Sequence, residues 1–107
     1  MKQLQELTEE QAKHICELAG EPFLSFMVNS HGAWTSLGLE IQIETTSTVY
    51  GNCNDSCIWI YKNGTVALHR NNGDWGGSRY EKINALPITD YLREQGYFFD
   101  INFVSEL

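Results

Sequence analysis

Apolar residues recur at helical spacing near the two ends of this chain and alternate with polar ones through its middle. Ala12, Ile15, Cys16 and Ala19 follow one another at intervals of three and four, with Leu18 beside them. Thr8-Glu9-Glu10-Gln11 just ahead reads as a capping box, in which the Thr8 hydroxyl accepts from the Gln11 N–H and the Gln11 side chain reaches back. Leu7 and Ala12 stand at staple positions, and Gly20 with Pro22 supplies the stop. The pattern predicts an amphipathic helix whose first turn places Glu9 and Glu10 where the helix dipole favours negative charge.

Period two then takes over. Phe23 to Val28 is a short apolar run followed by the turn residues Asn29-Ser30-His31-Gly32, which predicts a strand and a loop. From Leu37 to Thr45 the alternation is strict. Leu37, Leu39, Ile41 and Ile43 are expected to face the core, and Gly38, Glu40, Gln42 and Glu44 to share a wet, acidic face. Thr45 to Asp55 is polar and carries no clear period. Cys57 to Arg70 reads as a hairpin, because Asn63-Gly64 between two β-rich runs is the signal for a two-residue type I′ turn. That turn sets a register with Tyr61 opposite Val66, Ile60 opposite Ala67, Trp59 opposite Leu68, Ile58 opposite His69 and Cys57 opposite Arg70. Cys57, Trp59, Tyr61, Val66 and Leu68 then share one face, and Ile58, Ile60, Ala67 and His69 the other.

Asn71 to Ser78 holds three glycines and two asparagines around Trp75, a composition that favours turns and predicts a loop. Tyr80 to Ala85 allows a short strand. Pro87 suits the first turn of a second helix carrying Ile88 and Leu92 and ending at Gly96. Tyr97, Phe99, Ile101 and Phe103 then alternate with Phe98, Asp100 and Asn102, as in a final strand. The expected order is α-β-β-β-β-α-β: an α+β fold, one domain over residues 1–107, with a mostly antiparallel sheet of four or five strands and two helices on one face.

Size and composition narrow the partners. A chain of 107 residues leaves room for one domain. Fourteen Asp and Glu against seven Lys and Arg give a formal charge of −7, which argues against gripping phosphate backbones and so against nucleic-acid partners. A hydrophobic share of 42% and an aromatic share of 12% exclude a disordered chain. In so small a domain most of Phe23, Phe26, Trp34, Trp59, Tyr61, Tyr97, Phe99 and Phe103 are needed for the core. The N-terminus has no basic-then-apolar leader and no run is long enough to span a membrane. Three cysteines, an odd number, suit a reduced setting, so a cytoplasmic protein with no membrane partner is expected.

Catalytic motifs are scarce. There is no Gly-x-Ser-x-Gly elbow, phosphate loop or His-Glu-x-x-His, so neither an enzyme nor a cofactor is expected. Cys53 and Cys57, four apart, lack the paired knuckles that structural zinc uses, so no metal is expected either. A Cys57–His69 nucleophilic pair is excluded by the predicted register, which puts the two on opposite faces. Glu40 and Glu44, on one face with Gln42 between them, read as a solvated acidic surface. If a site exists, the loop region supplies it: Asn72, Asp74, Trp75 and Arg79 combine a large aromatic with polar groups able to orient a sugar, peptide or partner chain.

The charge is uneven. Residues 1–50 carry seven glutamates against Lys2 and Lys13, whereas residues 62–82 carry four cations against Asp74 and Glu81. The leading expectation is a non-enzymatic interaction module whose acidic side, including Glu40 and Glu44, meets another protein that is basic. Inhibitor and immunity-type proteins share that physical profile. The alternative is a small-ligand or carbohydrate-binding module using the Asn71–Arg79 loop. The apolar final strand, if it lies at a sheet edge, invites pairing into a homo-oligomer.

Overall fold

The structure, a computed structural model, describes residues 1–28, 38–46, 54–72, 78–83 and 85–103. A 3-10 turn at Leu4–Glu6 leads into helix α1, Glu9–Ala19. Five strands follow, β1 Ser25–Val28, β2 Leu39–Thr46, β3 Asn54–Tyr61, β4 Val66–Asn72 and β5 Ser78–Lys82, and then helix α2, Leu86–Glu94. The strands form an antiparallel sheet in the order β1-β2-β3-β4-β5, so β3 is central and consecutive strands are neighbours. The α+β architecture expected from the pattern is the one observed.

Helix α1 forms where its caps require. Thr8 Oγ1 accepts from Gln11 N at 3.2 Å, Gln11 Oε1 accepts from Thr8 N at 3.1 Å, and Gly20 ends the helix with its N–H on Cys16 O and Glu17 O. Its inner side, Ala12, Ile15 and Cys16, is buried together with Ile88 and Leu92 of α2 against Ile41, Ile43, Ile58, Ile60, Val66 and Leu68 of the sheet. One face of the sheet is therefore aliphatic and covered by both helices. The other carries Leu39, Trp59 and Tyr61, with Cys57 packed beside them.

The hairpin register differs from the expected one by a single residue. Ile60 pairs with Val66, Trp59 with Ala67, Ile58 with Leu68, Cys57 with His69 and Ser56 with Arg70. The turn holds three residues rather than two: Tyr61 N donates to Thr65 O at 2.8 Å and Gly64 N donates to Tyr61 O at 3.0 Å. Asn63 fixes it with its side chain, whose Oδ1 accepts from Thr65 N at 3.0 Å and whose Nδ2 donates to Phe103 O at 3.0 Å. Gly64 takes the positive φ, +91°, that lets the strand resume after a three-residue turn. The side-chain period of a strand is two, so this one-residue shift carries His69 onto the face of Cys57 and Val66 and Leu68 onto the face of Ile58 and Ile60.

A second departure lies in β2. Leu39 pairs with Tyr61 and Ile41 with Ile60, leaving Glu40 as the extra residue of a bulge. Leu39 consequently joins Trp59 and Tyr61 on the face opposite α1 and α2, and Glu40 turns toward the 3-10 turn, where Gln5 Nε2 donates to its Oε2. A second shift between Glu44 and Thr46 leaves Thr45 buried, donating from Oγ1 to Ser56 O at 3.1 Å.

Residues 97–103 do not form the expected strand. Tyr97 makes an isolated parallel bridge with Lys2, Tyr97 and Phe99 are buried in the main core, and Ile101 is exposed. The segment closes over the hairpin turn instead. Asp100 N donates to Lys62 O at 2.7 Å, and the Phe103 ring lies 4.1 Å from Lys62 Nζ and against Gly38. Residues 97–103 thus present no strand edge.

Candidate functional site

The acidic surface does not take the form expected from β2. Glu40 is only 6% exposed, and it faces the helix side in a cavity of about 250 Å³ with Gln3, Gln5, Lys62, Phe98 and Asp100. Burial pushes its carboxyl above the ordinary range, while nearby Lys62 and the Gln5 hydrogen bond pull in the opposite direction. Glu44 lies on the face opposite α1 and α2, where its Oε2 accepts from Ser25 Oγ at 2.9 Å. The two glutamates therefore do not share a face, because the bulge at Glu40 reverses the alternation between them.

What the fold does present as acidic is the helix layer. Glu6, Glu9, Glu10, Glu17, Asp90 and Glu94 are exposed there and Glu21 is half-buried, against Lys2, Lys13 and Arg93. Two of those cations stand beside carboxylates of their own helix, Lys13 Nζ at 4.0 Å from Glu9 and Arg93 Nη1 at 3.7 Å from Asp90. The third, Lys2, lies over the Tyr97 ring. The two helices are held side by side by the His14 and Tyr91 rings, 4.4 Å apart, and by Gln11 Nε2 donating to Gln95 Oε1 at 3.3 Å.

The residues expected from the loop are placed only in part. Asp74 and Trp75 lie outside the described residues. Asn72 ends β4, with its Cα opposite that of Asn54, and Arg79 is on β5 opposite Arg70.

The face opposite α1 and α2 carries a second constellation, which the sequence reading missed. Ser25, Glu44, Cys57 and His69 are successive cross-strand partners on β1, β2, β3 and β4, forming a row perpendicular to the strands. Met27, Gln42, Trp59 and Ala67 form the adjacent row. Between these rows and Phe26 and Ser56 lies a cavity of about 320 Å³. Cys57 Sγ is 3.7 Å from His69 Nδ1 and accepts from Trp59 Nε1 at 2.9 Å, while the Trp59 and His69 rings stack at 4.6 Å and 16°. Cys57 is half-buried and forms no disulfide among the described residues. A thiol, a base within hydrogen-bond reach and a ring that holds the base in orientation are the parts of an activated nucleophile.

Cys16, by contrast, is buried under α1, where burial and Glu21 push its thiol up to about 11. Among the described residues no group of three or more His, Cys, Asp or Glu is placed to hold a metal ion, and no helix is long and apolar enough to cross a membrane. Comparison of the chain with protein-family models, with curated protein sequences and with solved structures finds no match.

Proposed function

We propose that this chain is a non-catalytic protein-interaction domain that docks a basic protein partner on its helix layer, in the manner of an inhibitor or immunity-type binder. The observation that carries this reading is the charge of that layer, seven carboxylates against three cations, two of them beside carboxylates of their own helix. Such a surface steers a cationic partner into encounter and repels acidic ones. The helices present it rigidly, because α1 and α2 share the main core with the sheet.

The test is a partner captured by the immobilised chain, purified, and titrated against it at rising salt. Binding should weaken by about tenfold or more between about 0.05 and 0.3 M salt, as the Debye length shrinks. A Glu9→Gln/Glu10→Gln/Glu17→Gln chain should bind correspondingly less tightly at low salt, mainly through slower association, with its fold intact because these side chains are exposed. Binding that is indifferent to both salt and the triple substitution contradicts the proposal.

A further inference from the structure

We propose that Cys57 is an activated nucleophilic thiol and that the cavity in front of it admits a small, uncharged organic electrophile, an α,β-unsaturated carbonyl compound, which the thiol captures as a covalent adduct. Two independent pieces of geometry converge on the sulfur. His69 Nδ1 stands 3.7 Å away on the neighbouring strand, and the Trp59 indole N–H points at the same atom from 2.9 Å. An imidazole in that place can take the thiol proton, and two N–H donors then hold the thiolate, the form that attacks carbon. The stack of His69 on Trp59 keeps the ring where the proton must go.

The cavity selects the class of reactant. At about 320 Å³ it is small for a ligand pocket and far larger than a peroxide needs. Its walls pair apolar Met27 and Trp59 with Ser25 and Gln42, groups suited to a carbonyl on a compact carbon skeleton. Among the described residues the titratable groups facing the sulfur from the neighbouring strands are Glu44 on β2 and His69 on β4. The Glu44 carboxylate favours the imidazolium, opposes the thiolate, which the two N–H donors must offset, and disfavours an anionic reactant.

The step balances without an oxidant or a leaving group. The Cys57 proton passes to His69 Nδ1. The sulfur lone pair forms a C–S bond at the β-carbon, and the C=C π pair moves onto the carbonyl as an enolate. The enolate carbon takes the proton back from His69, leaving a thioether and a neutral imidazole.

The experiment treats the full chain with cyclohexenone across pH 5 to 10 and follows each cysteine by intact mass and peptide mapping. The expected result is an adduct at Cys57 that forms ahead of any at Cys16 or Cys53, and a pH–rate midpoint for Cys57 at least one unit below the value of about 8.5 for an ordinary thiol. His69→Asn should return the midpoint toward that value, and Trp59→Phe, which keeps the ring and deletes the N–H, should move it the same way by less. The wild-type midpoint decides the matter even if a variant does not fold. A midpoint at or above about 8.5, or an adduct formed no faster than with N-acetylcysteine at pH 6, overturns the proposal.

Discussion

Glu40 shows how much one buried carboxyl can report. Its burial outweighs Lys62 and the Gln5 hydrogen bond, so the folded state holds its proton more tightly than the unfolded chain, whose value is the ordinary 4.5. The stability tied to that proton is complete below about 4.5 and is lost as the pH rises through the folded-state value. Glu40→Gln removes this dependence. The variant should therefore gain in melting temperature relative to the wild type at neutral pH, and the gain should shrink as the pH falls below 4.5. A gain that grows in acid contradicts the assignment. The two described thiols make a second contrast, since Cys16, with its pKa near 11, should resist alkylation at pH 8 until urea unfolds the chain.

At the scale of elements, the ends of helices and the tips of hairpins carry more of the argument than their middles. Thr8→Ala deletes the acceptor for Gln11 N and half of the capping box, and should cost about 1 kcal/mol in urea unfolding. Gly38→Ala should cost more, about 2 kcal/mol or above. Its φ of +87° is strained for any residue with a side chain, and an added Cβ would sit 2.3 Å from Phe103 Cε1. If Gly38→Ala unfolds at the same urea concentration as the wild type, the packing of 97–103 over the hairpin turn is wrong.

The same elements show what was legible in the sequence. Helix α1 was readable to its caps because every signal for it is local: Thr8, Gln11 and Gly20 act on their own backbone. The hairpin was readable as a hairpin but not in register. Asn63-Gly64 suits a two-residue turn, and the competing three-residue turn is selected by Asn63 bonding both Thr65 N and the distant Phe103 O. A signal for the correct register was nonetheless present. Only the observed pairing gathers Ile58, Ile60, Val66 and Leu68 on one aliphatic face, whereas the two-residue turn mixes Ile58 and Ile60 with His69. The bulge at Glu40 had no comparable signal, since Leu37 to Thr45 alternates without a break. The candidate thiol site fell with the register: a one-residue error was enough to separate Cys57 from His69.

At the scale of the whole molecule, the sheet divides two surfaces of different character. The helix side is acidic, and the opposite side holds an aromatic, thiol-bearing cavity. The helix layer holds seven of the fourteen carboxylates against three of the seven cations. Charge substitutions in α1 should change partner binding and leave Cys57 alkylation unchanged, and His69→Asn should do the reverse, because the sheet stands between the two sites. Loss of both functions in either variant, with the fold intact, contradicts that separation.

Everything proposed for the Cys57 face depends on how β3 meets β4, and nuclear Overhauser contacts between backbone protons of the isotope-labelled chain read that pairing directly. The observed register predicts cross-strand contacts that pair Cys57 with His69, Trp59 with Ala67 and Ile58 with Leu68. Contacts pairing Cys57 with Arg70 and Trp59 with Leu68 would place the thiol and the imidazole on opposite faces and contradict it.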